Sequence, residues 1–341
     1  MINLKDLQLN EMEAFLESLG EPKFRAKQIF AWLYRGADDF EQMSNVPVSL
    51  RKKLVESDVN LGIMKPIKVQ CSKLDGTRKY LFELYDGNAI ESVLMKYKYG
   101  NTICISSQAG CRMGCKFCAS TIGGLRRNLT AGEMSEQLLA AERQSGEHIN
   151  HIVVMGTGEP FDNYENLSAF IKIINDKAGR NLGMRNITVS TCGLVPIIEK
   201  FANDFPQVNL AISLHAPDDK IRNSMMPVNK RYNIHELIEV CRKYTDITSR
   251  RITFEYTLVR GVNDSLHHAE ELCKLLKGML CHVNLIPLNK VLETGFDTTA
   301  RKDAERFLDF LESKGIPATI RREMGDDIDG ACGQLRLSGK K

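Results

Sequence analysis

Apolar and polar positions change period twice along this chain. Between residues 5 and 58, as in FLESLGEPKFRAKQIFAWLYRG, apolar residues recur at helical spacing; the pattern breaks at Gly20 to Pro22 and restarts in VPVSLRKKLVES. Short amphipathic helices are predicted there. From Ile67 to Lys98 the period falls to two, and two Asp-Gly dipeptides, Asp75-Gly76 and Asp86-Gly87, stand between β-prone runs. Such dipeptides predict hairpin turns.

After Asn101 the order becomes strand, loop, helix, repeated. Strands are predicted near 102–106, 151–156, 186–190, 208–213, 252–258, 282–286 and 317–321, with helices including 131–145, 164–177, 234–243, 265–277 and 299–313. Repeated βα units imply a parallel sheet, and six or seven of them favour an open or partial barrel. The expected organisation is a helical domain over 1–60, a β-hairpin segment over 61–98, an α/β barrel over 99–325 and a C-terminal loop over 326–341.

Composition narrows the class without naming a function. The 341 residues are 43% hydrophobic and 26% charged, as in an ordinary globular protein, and the net charge of +3 neither announces nor excludes a nucleic-acid partner. The N-terminus lacks a basic start followed by an apolar run, and no stretch approaches the ~18 apolar residues of a membrane span. A cytoplasmic protein with no membrane partner is expected, whose ten cysteines are reduced thiols, ligands or catalysts rather than staples.

In such barrels chemistry gathers where the strands end. The unusual residues of this chain fall there: the loop CISSQAGCRMGCKFC after the first strand, GTGEP after the second, STCG at the third, SLH at the fourth and PLN after the sixth. Cys111, Cys115 and Cys118 place three thiols within eight residues, close enough to ligate one centre. A zinc site usually completes a tetrahedron with a further Cys or His, and no second pair stands nearby. An iron-sulfur cluster held by three cysteines leaves one iron open to a ligand, and the spacing favours it.

Here the C-x3-C-x2-C triad resembles the radical S-adenosylmethionine (SAM) enzymes, whose cluster binds SAM and cleaves it to a 5′-deoxyadenosyl radical. The resemblance implies a [4Fe-4S] cluster on Cys111, Cys115 and Cys118, a SAM cofactor, and an α/β fold built on a partial (βα)6 radical-SAM barrel with the helical domain and hairpin extension in front. By the same resemblance Gly158, Glu159, Ser190, Ser213, Leu214, His215 and Asn289 bind SAM. From the residues alone, GTGEP is a glycine-rich turn, and Ser190, His215 and Asn289 are equally read as polar residues satisfying strand ends.

The whole chain resembles the adenosine-C2 RNA methyltransferases of the RlmN type. The matching stretches include EPKFRAKQIFAWLY, ESVLMKY, RRNLTAGEM, GTGEPFDNYENL, ISLHAPDD, MMPVN, HVNLIPLN and MGDDIDGACGQLR. That resemblance implies methylation of adenine C2 in 23S rRNA and in tRNA at the adenosine following the anticodon. It makes Cys332 the methyl carrier, Glu91 the base and Cys104 the thiol that releases product by forming a disulfide with Cys332. An electron donor such as flavodoxin or ferredoxin, a thiol reductant and a monomeric state are implied with it. The alternative is a C8-directed, Cfr-like sister family that shares the cysteines; Glu159-Pro160 and Ile286 to Asn289 look like the C2 type.

Strand alternation puts Glu91 on one face with Ala89, Val93 and Met95, where a carboxylate needs a partner or a raised pKa. Cys71, Cys192, Cys241, Cys273 and Cys281 read as core thiols, and Cys192 stands beside a SAM position. Asp326, Asp327 and Asp329 read as loop caps in preference to metal ligands. Arg126-Arg127, Arg250-Arg251, Arg321-Arg322 and Arg51 to Lys53 are basic groups suited to phosphates. An adenine destined for a buried cluster must leave its stack, so flipping or an unstacked loop substrate is expected.

Overall fold

A computed structural model describes residues 1–289, 295–322 and 324–328. One sheet of ten strands organises them: β1 (Pro66–Cys71), β2 (Arg78–Glu83), β3 (Ala89–Tyr97), β4 (Gly100–Ile105), β5 (His151–Val154), β6 (Ile187–Thr191), β7 (Asn209–Ser213), β8 (Ile252–Leu258), β9 (Cys281–Pro287) and β10 (Ala318–Ile320). Their order in the sheet is their order in the chain. β1 to β4 pair antiparallel as a meander, and β4 to β10 run parallel, as the seven predicted strands require. β1 and β10 are edges, so the barrel is partial. The Asp-Gly turns form with Gly76 and Gly87 at φ 74° and 77°. The hairpins are not an appendage to the barrel: β3 pairs with β4 from Val93↔Cys104 to Tyr97↔Gly100.

Period-two alternation splits this sheet into an outer apolar face and an inner polar one. Ile103, Ile105, Ile152, Val154, Ile187, Val189, Leu210, Ile212, Phe254, Val283 and Leu285 belong to the main core. Their alternates, Ser190, Ser213, Glu255, Thr257 and Ile286, line a pocket. Cross-strand contacts run along the inner face, with Ser190 Oγ 3.5 Å from Ser213 Oγ and Asn284 Nδ2 donating to Glu255 Oε2 at 2.8 Å.

Helices cover the apolar face: α1 (Leu9–Ser18), α2 (Phe24–Tyr34), α3 (Val48–Glu56), α4 (Ala131–Ser145), α5 (Tyr164–Asn175), α6 (Val195–Asp204), α7 (Asp219–Met225), α8 (Ile234–Thr248), α9 (Leu266–Leu276) and α10 (Arg301–Ser313), except α7, which packs at the strand ends beside the cysteine loop. Local chemistry fixes their starts: Thr130-Glu133 and Asn233-Glu236 form capping boxes. The periodicity missed α6 and α7. Pro196 lies in the first turn of α6, where no N–H is needed, and α7 is only seven residues starting from the cap Asp218.

Two expectations change. Cys71 is exposed on the edge strand β1 and not a core thiol, because an edge strand has solvent on its open side. The N-terminal helices are not separate from the barrel's core: Met12, Leu16, Ile29, Phe30, Leu50 and Leu54 belong to the same apolar cluster as the strands. Across that junction the Lys5 ammonium donates to Glu136 Oε2 at 2.5 Å with both side chains fully buried, and Gly132 N donates to Asp6 Oδ1 at 2.7 Å.

Candidate active site

One pocket at the C-terminal ends of the parallel strands is lined by Cys111, Cys115, Cys118, Gly158, Glu159, Ser190, Ser213, His215 and Asn289, all singled out from the sequence. Leu214 differs: its side chain joins the helix-side core, and its carbonyl accepts from Arg222 Nε at 3.1 Å.

The cysteine loop is built onto β4. Gln108–Gly110 pairs with Leu125–Asn128, and Lys116 N donates to Met225 O at 2.9 Å, tying the loop to the end of α7. Cys111 and Cys115 are buried and Cys118 half-buried. Burial pushes the Cys111 thiol up to about 12 and that of Cys115 higher, while the nearby Arg222 guanidinium favours the Cys115 thiolate. Buried thiols of this kind ionise when a metal takes the thiolate, which fits a cluster site. Among the described residues no three His, Cys, Asp or Glu converge as on one metal ion.

The GTGEP loop lies against the base of that cysteine loop. Ser107 N and Gln108 N donate to Thr157 O at 2.9 and 3.1 Å, and Glu159 N donates to Gln108 Oε1 at 2.8 Å. A Cβ on Gly158, whose φ is +110°, would sit 2.8 Å from Gln108 N. Glycine is therefore required at this crossing. The Glu159 carboxylate is buried, with its pKa raised by burial, and accepts from Phe161 N at 3.0 Å and Cys192 N at 2.8 Å. Its first task is to join the second and third strand-end loops, and it still faces the pocket.

His215 holds φ 57°. Its Nδ1 accepts from Thr257 N at 2.9 Å, which leaves the proton of the neutral ring on Nε2, and Phe117 packs on the ring edge at 4.9 Å between centroids. Arg222, fully buried, donates to Cys192 O, Ser213 O and Leu214 O and to Asn229 Oδ1. Sequence reading missed it, together with Glu255 on the pocket wall, and took Arg321, which also lines the pocket, as a group suited to phosphates. A charged residue directly after Ile221, four residues after the cap Asp218 in the segment DDKIRNSMM, was the only signal of Arg222.

Glu91 and Cys104 lie outside this pocket lining but on the same inner face of the sheet. Glu91 is buried with Lys79 Nζ 3.5 Å from Oε1, the partner that its apolar face calls for. Cys104 is packed with Val93, Met95 and Met324, beside Val153 and Met155. The chain beyond β10 reaches the β1–β2 turn, where Gly325 N donates to Asp75 Oδ2 at 2.9 Å and Asp327 Oδ2 accepts from Lys73 N at 3.0 Å. Asp327 thus acts as a loop clasp. Cys332 and Asp329 lie outside the described residues.

Of the basic groups, Arg127 is consumed by Asp86 and Glu133 and stacks on Tyr85. Arg51 and Lys53 pair with Glu41 and Glu21. Arg126, Arg251 and Arg322 are exposed.

Known proteins match this chain over almost its whole length. Residues 2–59 match the ribosomal RNA large subunit methyltransferase N-terminal domain, and residues 105–276 match the radical SAM superfamily. A protein of Clostridium novyi named probable dual-specificity RNA methyltransferase RlmN is 53% identical over 337 residues, covering 98% of each chain. One of the same name from Lachnospira eligens is 51% identical, over 98% of this chain and 96% of its own. The crystal structure of a radical SAM methyltransferase from Sphaerobacter thermophilus superposes with a TM-score of 0.95 at 48% identity, covering 99% of this chain and 100% of that one.

Proposed function

Because the chain belongs to the RlmN family of radical-SAM RNA methyltransferases, we propose that it methylates adenine C2 in 23S rRNA and in tRNA through a methyl group carried on Cys332. It is a SAM-dependent enzyme with a [4Fe-4S] cluster, and its substrate is RNA. Cys111, Cys115 and Cys118 hold the cluster, and Gly158, Glu159, Ser190, Ser213, His215 and Asn289, with the backbone of Leu214, hold SAM. The bound cofactors supply a 5′-deoxyadenosyl radical.

Adenine C2 lies between two ring nitrogens and is too electron-poor to attack a methyl donor. The Cys332 thiolate would take its methyl group from one SAM, which leaves as S-adenosylhomocysteine. A hydrogen atom then passes from that S-methyl to the 5′-deoxyadenosyl radical supplied by a second SAM, and the carbon radical left behind adds to C2. Glu91 would then remove the C2 proton while one electron passes to an iron-sulfur or flavin acceptor, and the ring regains aromaticity. Lys79 supplies the counter-charge that lets a buried carboxylate stay ionised for this task. The Cys104 thiolate attacks Cys332 sulfur, the S–CH2 bond breaks, and the carbon takes up a proton as the product methyl. A thiol reductant resets the disulfide. The initiating electron comes from a small flavin or iron-sulfur protein.

The observation that carries the two-thiol part is Met324, eight residues ahead of Cys332, packed on Cys104 on the Glu91 face. In an anaerobic assay with SAM and RNA, Cys104→Ala should accumulate RNA covalently attached to the protein, seen as a shifted band on a denaturing gel. Cys332→Ala should neither methylate nor trap. Normal turnover by Cys104→Ala would return that cysteine to an ordinary strand residue. Mass spectrometry of the methyladenosine against C2 and C8 standards decides the position.

A further inference from the structure

The cysteine loop carries one feature that neither the cluster nor the SAM pocket uses. Directly after Cys118, a turn over Ala119–Thr121 is fixed by Thr121 Oγ1 donating to Cys118 O at 2.9 Å, and Ser120 and Thr121 line the pocket. The next residue, Ile122, points outward with 48% of its surface exposed. Ile122 N donates to Ala119 O at 3.1 Å and Gly124 N to Thr121 O at 3.1 Å, so the turn that presents it is held by the cluster loop itself. Gly123 and Gly124 follow at φ 92° and 69°, with nothing within 4 Å of where a Cβ would stand. The tip is therefore free of neighbouring protein. Arg112, Lys116 and Arg126 are exposed on the same loop and its returning strand.

Scattered exposed apolar residues are ordinary. Tyr85, the most exposed of the large ones here, is held by Arg127 at 4.8 Å, and Tyr99 stacks on Tyr97 at 5.0 Å. Ile122 differs in following directly on Ser120 and Thr121 of the pocket lining, on a turn held by the cluster loop. Lys116 and Arg126 are exposed on the same loop and its returning strand, and Arg112 is paired with Asp162. An enzyme that works on a base in a buried pocket must draw it out of its stack, and apolar side chains inserted between bases hold such a gap open.

We propose that Ile122 is the wedge that enters the RNA stack in place of the target adenine, with Lys116 and Arg126 on the flanking phosphates. The inference rests on the reading that an RNA base is the methyl acceptor. Ile122 is a positioning residue: it touches the stack and not the reacting carbon. A β-branched side chain suits the role because it is stiff.

The test uses the cluster-loaded enzyme and an anticodon-arm hairpin RNA, once with adenosine and once with fluorescent 2-aminopurine at the target position. Binding of wild type should raise the fluorescence as the base unstacks. Ile122→Ala and Ile122→Ser should bind the hairpin and cleave SAM as wild type does, give a smaller rise, and methylate about tenfold more slowly, the scale of losing one stacking contact. Ile122→Leu should restore both signals. An abasic site next to the target, which removes the stack to be opened, should rescue Ile122→Ala. Equal fluorescence and equal methylation for Ile122→Ala and wild type would overturn the wedge while leaving the methyltransferase reading intact. Unstacking that depends on Ile122, with no methyladenosine from wild type, would instead sink the methylation reading and keep the wedge.

Discussion

His215 sits at φ 57°, a conformation that few residues other than glycine, asparagine and aspartate adopt, and its surroundings explain why it stays there. Nδ1 accepts from Thr257 N while its own carbonyl accepts from Asn263 Nδ2 at 2.7 Å, so ring and backbone are held together. Burial, with Arg222 adding to it, lowers the imidazole from 6.5 to about 3. The ring is thus neutral in the folded protein at working pH. Below 6.5 the unfolded chain binds the proton first, so stability is full above that value and is lost as pH falls toward 3. Urea midpoints should fall from pH 7 to pH 5, and His215→Asn, which tolerates the left-handed backbone, should flatten part of that slope. An unchanged slope would mean that His215 does not titrate this way. The motif position of His215 was legible in SLH; its strained backbone and its hydrogen bond to a neighbouring strand were not, because both arise only when β7 and β8 lie side by side.

At the scale of elements, the short helix α7 organises the site more than its seven residues suggest. Its Arg222 gathers the carbonyls that end β6 and β7, groups that the sheet no longer satisfies. Replacing it with lysine keeps the charge but not the planar fork that reaches several acceptors at once. Arg222→Lys should lower unfolding stability by about 3 kcal/mol, since buried carbonyls lose their donors, and should weaken SAM binding measured by calorimetry. Unaltered binding would confine Arg222 to packing. The hairpins were readable from Asp75-Gly76 and Asp86-Gly87 because turn chemistry is local. α6 and α7 were not, since one begins at a proline and the other is too short for a period to register.

In the whole molecule, the N-terminal helices and the barrel form one apolar cluster, sealed by Lys5, Glu136 and Arg143. Burial lowers the Lys5 pKa despite Glu136 beside it, so the pair is held by packing as much as by charge. Lys5→Met should cost about 3 kcal/mol by leaving Glu136 with Arg143 as its charged partner beside the Met64 N–H, and Lys5→Met/Glu136→Gln should recover part of it in a double-mutant cycle. Independent, additive losses would show that the two residues do not act as a pair. The sequence by itself determined the succession of strands along the chain, the turns, the three-cysteine loop and the residues at the strand ends. Period, turn chemistry and close spacing act over a few residues and leave marks there. Tertiary structure decided the rest: that Glu91 finds Lys79, that Glu159 joins two loops, that a buried arginine closes two strands, and that the chain after β10 returns to Cys104. The longest of those contacts, from Cys104 to Met324, joins residues 220 positions apart. No local pattern encodes such pairings; they exist only once the sheet has closed around its polar face.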